Sequence, residues 1–410
     1  MSNTTEGMEN NTTNNDSIEV MIEKNLQRFS TFVRELSGTT QETQATPQEQ
    51  DTQGQDGILS EPLVILGTKF TNLAEAEEYI QSKLWLSYRC GFDPIVKDPD
   101  GPTPMSFLPS MIFNKSVFTS VNWRRSLFDY DNFNSDVGWG CMIRTTQTLL
   151  ANTLVKLQQD ADEERIIGLF QDNLNCVFSI HNFIRVASKS PLEVKPGQWF
   201  GPNAASLSIK KLLDQIKPKA IEGVDLPKVF ISENSDLYDE EIETNLENSS
   251  LLILFPVRLG IDNVNSYYYS SIFQLLSSDF TMGISGGKPS SSFYFLGYQN
   301  QDLIYLDPHL PQLYQPTAID YQTYHCANYN RLNINMLDPS MMIGVLLRDK
   351  LEYKQFKREC IEENNKIVHF HPQLSPSLEG VNQSWEVVEE EDDFVNLGRV
   401  EEDEFVDLTK

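Results

Sequence analysis

The chain has 410 residues, 40% of them hydrophobic, and 59 acidic against 32 basic side chains give it a formal charge of −27. That balance argues against a nucleic-acid groove or an anionic membrane surface as the main partner, since both are held by excess Lys and Arg. Five cysteines (Cys90, Cys141, Cys176, Cys326, Cys360) form no CxxC pair and no Cys/His zinc spacing, so free thiols are expected, with neither metal nor cofactor.

The N-terminus has neither a basic nor an apolar signal region and no stretch is apolar enough to span a bilayer, so a cytoplasmic protein is expected. Residues 1–56, with ten acidic and three basic side chains, read as a disordered arm. Within it Ile18, Ile22, Leu26, Phe29, Val33 and Leu36 recur at helical steps. This predicts a helix over 17–36 that packs on the body, docks on a partner or covers the active site. Residues 57–372 hold most of the aromatics at a net charge of −10 and form the folded unit. Predicted helices cover Leu73–Leu86, Cys141–Gln158 and Ala204–Ile216; predicted strands cover Ser250–Leu254, Ser292–Tyr298, Asp302–Leu306 and Ile343–Leu347. Helices precede strands, which indicates an α+β fold. Residues 373–410, with twelve acids against two bases, read as a disordered acidic tail.

The run Asp136-Val137-Gly138-Trp139-Gly140-Cys141 places a thiol at the start of a long helix behind two glycines. Unpaired amides and the helix dipole favour a thiolate there, and the same amides can stabilise an oxyanion. A nucleophile needs a base. His309 ends the segment Tyr305-Leu306-Asp307-Pro308-His309, where a strand delivers Asp307 and His309 to one side, so Asp307 can orient the imidazole. His181 and His325 remain alternatives for the base. Tyr88, in Trp85-Leu86-Ser87-Tyr88-Arg89, stands at a predicted helix end, where its hydroxyl either packs in the core or donates to an oxyanion. Trp199 is exposed by Gly197-Gln198-Trp199-Phe200-Gly201, and Gly286-Gly287-Lys288-Pro289 reads as a hinge-like loop able to act as a lid. Oxidation is expected to inactivate Cys141, and Cys326 with Cys360 could pair under the same conditions.

Together the motifs DVGWGCMIR, SYR, GQWFGPN, GGKP and YLDPH resemble those of the autophagins, the autophagy-related protein 4 cysteine proteases, over about residues 60–350. The long, Pro-containing stretch between Tyr88 and Cys141 is closer to the fungal members. The resemblance implies a papain-like fold with a small inserted subdomain. It implies Cys141 as nucleophile, His309 and Asp307 as base and orienter, Tyr88 at the oxyanion, and Trp199 with Gly286 and Gly287 in segments that cover the site. The implied partner is the ubiquitin-like autophagy modifier, cut after a C-terminal glycine and released from phosphatidylethanolamine. Membranes would be met transiently, through that substrate. Glycine selection fits a slot walled by aromatics such as Trp139 and Trp199. In the tail, Trp385 with Val388, Phe394 with Leu397, and Phe405 with Leu408 each set an aromatic three residues before an aliphatic among acids, and look like modifier-interacting motifs. The rival reading is a non-catalytic adaptor that binds the modifier through this tail.

Overall fold

The computed structural model describes residues 57–104, 132–158, 162–216, 221, 223–288, 290–316 and 319–373. The expected helix at 17–36 and Pro289 lie outside these. So do all six residues of the expected modifier-interacting motifs, Trp385, Val388, Phe394, Leu397, Phe405 and Leu408. The first half supplies β1 (Ile58–Ile65), β2 (Thr68–Asn72), α1 (Leu73–Gln81), β3 (Arg89–Val96), β4 (Asn132–Ser135), α2 (Cys141–Leu157), α3 (Glu163–Gly168), α4 (Ile180–Ala187) and α5 (Pro202–Asp214). The second half supplies β5 (Lys228–Ile231), β6 (Asp236–Tyr238), α6 (Asp239–Asn245), β7 (Leu251–Arg258), α7 (Tyr269–Ser277), β8 (Thr281–Lys288), β9 (Ser291–Gln299) and β10 (Asp302–Leu306). It ends with β11 (Gln312–Leu313), β12 (Asn330–Asn333), β13 (Ser340–Leu347), α8 (Lys350–Glu362) and β14 (His369–His371). The expected α+β character is what the chain adopts.

A nine-stranded sheet runs in the order β12-β10-β9-β8-β13-β7-β5, with β1 and β2 joined at β9. Its central strands are buried on both faces, so they read as apolar runs rather than alternating ones. Period-two alternation then sorts them. Leu252, Leu254, Met342 and Leu346 face a core shared with α2, α4 and α5, while Leu251, Ile253, Phe255, Ile343 and Val345 face a second core shared with α6, α7 and α8. Helices therefore cover both faces. At Gly344 an added Cβ would lie 3.1 Å from Leu149, so the missing side chain lets α2 lie close on the sheet.

The predicted helix at 73–86 stops at Gln81. Beyond it, the Leu84 amide and carbonyl bond the Asn152 side chain (3.0 and 2.8 Å), and the Leu86 amide bonds Thr148 Oγ1 (3.0 Å). Leu84 and Leu86 are buried by this docking of an extended segment on α2, and their spacing is not a helical period. α2 has no solvent-facing side over most of its length, since every residue from Cys141 to Leu154 is buried. Several of its polar side chains bond backbone carbonyls, among them Thr148 that of Arg144, Thr153 that of Leu149 and Gln147 that of Phe178. No described helix is long and apolar enough to cross a membrane.

Candidate active site

Three segments converge on the N-terminus of α2. One leads into β3 and carries Tyr88, one joins β4 to Cys141, and one leaves β10 with Asp307 and His309 and returns as β11. The small sheet β11-β3-β4 ties them together, with Gln312 opposite Arg89 and Cys90 opposite Ser135. The Tyr88 amide donates to the Pro308 carbonyl (2.8 Å), the Gln312 amide to the Tyr88 carbonyl (2.9 Å) and Trp85 Nε1 to the Asp307 carbonyl (3.0 Å). Tyr88 is thus held in extended backbone and not at a helix end as expected; residues 84–86 are occupied with α2.

Cys141 is the first residue of α2. The amides of Trp139 and Gly140 both donate to the Asp136 carbonyl (3.2 and 2.8 Å), closing a tight turn in which Gly138 has φ 87°. A Cβ on Gly140 would lie 2.5 Å from Asp136 Oδ2, so glycine is required there. Gly140 brings no capping side chain, which leaves the first-turn amides and the positive helix end to the thiol and to any oxyanion formed beside it.

His309 follows the end of β10. Its Nδ1 is 2.5 Å from Asp307 Oδ1, which also accepts the His309 amide at 2.9 Å, so the carboxylate sets both the ring orientation and the tautomer. Nε2 lies 3.2 Å from Ser291 Oγ. Tyr88 and Phe293 meet the ring edge-on, with centroids 5.3 and 5.5 Å away. The Cys141 thiol faces His309, the Ser292 amide and the Tyr88 hydroxyl.

Burial alone would push the Cys141 thiol up. The His309 hydrogen bond and charge, with the Ser292 amide and the Tyr88 hydroxyl, outweigh it and hold the thiol below its ordinary value. For His309 burial works downward, yet the Asp307 charge and hydrogen bond, with the thiol, raise it to about 10. Burial also raises the Asp307 carboxyl, and the neighbouring imidazolium more than reverses this. Tyr88 is pushed well up, first by burial and then by the Cys141 charge, so its hydroxyl stays protonated and able to donate. These directions describe a thiolate–imidazolium pair. Activity through that pair should rise as pH climbs through the depressed thiol value and fall above about 10, where His309 loses its proton. In His309→Ala, alkylation of Cys141 should need higher pH than in the parent, and an unshifted alkylation profile would break the pairing.

Behind Cys141 lies a buried charge network. Arg144 Nε donates to Asp136 Oδ2 (2.7 Å), and its two terminal nitrogens hold Asp172 at 3.0 Å each. Asp136 Oδ1 in turn accepts the Arg89 amide (2.7 Å), and Arg89 stacks on Tyr324. The arginine thus ties together the turn before Cys141, the strand after Tyr88 and the loop at Asp172. Sequence reasoning missed both ends of this network. Arg144 has a signal in its place three residues after Cys141 on a buried helix; Asp172 has none.

The other expected residues fall as follows. Trp139 is buried against Phe133 with its Nε1 on the Ser135 carbonyl, so it supports the turn and does not line the cleft at Trp199. Trp199 is 45% exposed and, with Met142, Pro202, Gly287, Ser292 and Asp338, lines a cleft that Gly286 also borders. The expected hinge loop is a strand end: Gly286 pairs with Phe293 and Gly287 with Ser292, and the Asp338 amide bonds the Gly287 carbonyl (2.7 Å). Added Cβ atoms would lie 2.7 Å from Met341 and 2.2 Å from the Ser291 carbonyl, so these glycines serve close strand packing. His181 bonds the Asp93 carbonyl, and His325 bonds the Gln81 carbonyl and faces Glu163. Neither alternative base is therefore next to the thiol. Cys360 is buried in the core under α7 and α8, whereas Cys326 packs against the core of the opposite sheet face, so the expected pairing of these two is not available to the fold.

A family model for the peptidase C54 catalytic domain matches residues 73–359. The chain belongs to the peptidase C54 family. It is 56% identical over 381 residues to the cysteine protease ATG4 of Candida albicans, across 91% of this chain and 85% of the relative. It is 48% identical over 370 residues to the probable cysteine protease ATG4 of Scheffersomyces stipitis (86% and 71%), and 49% over 330 residues to that of Debaryomyces hansenii (76% and 67%). The resemblance to fungal autophagins is borne out, and this C54 member is a cysteine protease; the adaptor reading gives way to an enzyme.

Proposed function

We propose that this C54 protease hydrolyses the bond after the C-terminal glycine of the ubiquitin-like autophagy modifier, both in its precursor and in its phosphatidylethanolamine-linked form. The observation that carries the reading is the thiol of Cys141 at a helix start, facing an imidazole that Asp307 holds from behind. In this reading the Cys141 thiolate attacks the glycine carbonyl. The first-turn amides and the Tyr88 hydroxyl receive the oxyanion, and His309 protonates the leaving amine. Water then opens the thioester with His309 as base. A thiol only 1% exposed, beside a cleft bounded by Trp199 and tightly packed glycine backbone, supports a substrate that arrives as a thin extended tail ending in glycine.

The experiment is incubation of the purified full chain with a tagged modifier precursor and with the lipid-linked modifier on vesicles. Cleavage of both is expected, and absence of both would refute the substrate. Tyr88→Phe should lower kcat by about 10²-fold with little change in KM, because the donor acts on charge formed during reaction; a normal kcat would remove Tyr88 from the oxyanion. The enzyme would work in the cytoplasm and meet autophagic membranes through its substrate. Removing residues 373–410 takes away the aromatics Trp385, Phe394 and Phe405 together with their aliphatic partners Val388, Leu397 and Leu408. This should slow release from vesicles more than precursor cleavage, because a linked second contact matters most when the substrate is dispersed on a surface. Equal rates on vesicles would leave the tail no part in recognition.

A further inference from the structure

His309 has both ring nitrogens engaged by separate strands. Nδ1 meets Asp307 at the end of β10, and Nε2, the nitrogen Asp307 leaves free, lies 3.2 Å from the hydroxyl of Ser291 at the start of β9. β9 and β10 are antiparallel neighbours with Leu306 opposite Tyr294, so the two contacts come from one rigid pair of strands. Ser291 is 2% exposed and belongs to the hairpin end where it pairs with Lys288. Such a hydroxyl is not a solvent-facing turn residue.

We propose that Ser291 is a positioning residue for His309, its hydroxyl oxygen accepting the Nε2 proton while the sulfur is engaged with substrate. The inference rests on the proposed roles of Cys141 and His309. In the resting pair, Nε2–H donates to the thiolate. When the sulfur forms its bond to the carbonyl carbon, its negative charge passes to the carbonyl oxygen and the imidazolium loses its acceptor. The proton must still reach the leaving nitrogen, which takes it from Nε2 as the carbon–nitrogen bond breaks. Between these events Ser291 Oγ offers Nε2–H a fixed acceptor, so the ring stays protonated and aimed at the scissile bond. The groups facing the ring are Asp307 from β10, Cys141 from α2, Tyr88 from the segment before β3 and Ser291 from β9, with Lys288 beside Ser291 on β8. Of these, Tyr88 and Ser291 carry no charge at working pH, and Asp307 is already committed to Nδ1.

The test compares Ser291→Ala, Ser291→Thr and Ser291→Val in the full chain. Thr and Val share one shape, so any packing effect of the β-branch is common to both and only the hydroxyl differs. Loss of one hydrogen bond to a charged ring should lower kcat on the order of 10- to 100-fold in the Ala and Val variants with KM unchanged. The alkaline limb of kcat, which reports the substrate-engaged enzyme, should move to lower pH in both, while Thr keeps the parent's limb and more than half of the loss is restored. Thr and Val variants alike in kcat and in alkaline limb would overturn the proposal. His309→Ala is carried in parallel: if it retains turnover, the base assignment itself fails, whereas an inactive His309→Ala beside matching Thr and Val variants sinks only the role of Ser291.

Discussion

Cys141→Ala should abolish turnover, on the order of 10⁴-fold or more, while leaving the fold intact, because the thiol contributes little packing volume and the turn before it is held by Asp136 and the two glycines. His309→Ala should lose nearly as much, since the members of such a constellation act as a unit and removing one idles the others. Asp307→Ala should retain a small residual rate, roughly 10²-fold above the other two. Its loss frees the ring to turn and lowers the imidazole's affinity for a proton without removing the imidazole. Single-turnover cleavage of the precursor, with thermal melts run on the same samples, separates these outcomes. Cys141→Ala turning over at the parent's rate would end the assignment.

The second large effect concerns stability. Arg144→Leu should destabilise the protein by about 3–5 kcal/mol, because it strands two carboxylates that are 0% and 2% exposed, Asp136 and Asp172. In the parent, burial already raises the Asp136 carboxyl, against the pull of Arg144. Without the arginine its folded value should climb further above the unfolded one, so the folded state would hold a proton that the unfolded state releases. Stability of the variant should therefore be best at acid pH and fall as pH rises through the raised Asp136 value. Urea midpoints of parent and variant across that range check the sign: a penalty that shrinks on acidification is expected, and one that is constant or grows would show that the carboxylates are not its cause. Activity should fall with stability, since the same arginine anchors the turn that presents Cys141.

The candidate site was legible wherever it lay within one local run. A cysteine after Gly-Trp-Gly at a helix start and a histidine two residues past an aspartate at a strand end both state their geometry in sequence, and the structure brings them together. What was not legible depends on contacts between distant segments. Ser291 and the Ser292 amide reach the site only because β9 pairs with β10, and Asp172 reaches Arg144 from a loop with no pattern of its own. Gly286-Gly287-Lys288-Pro289 looked like a hinge because glycine frees the backbone; here Gly286 and Gly287 instead allow backbones to approach, a use that composition cannot distinguish. The overlong first helix has the same origin. Leu84 and Leu86 are apolar for burial, and their backbone partners, Asn152 and Thr148, lie on another helix.

Whether Cys141 forms the covalent bond to the substrate's terminal glycine can be read directly in this chain, because it carries four other cysteines as internal controls. A modifier whose C-terminal glycine ends in a thiol-reactive electrophile is incubated with the parent, and the adduct is mapped by peptide mass spectrometry. A single stoichiometric adduct on Cys141 is expected, one that disappears in Cys141→Ala and forms far more slowly in His309→Ala. An adduct on Cys90, Cys176, Cys326 or Cys360, or one that persists undiminished in Cys141→Ala, would contradict the role of Cys141.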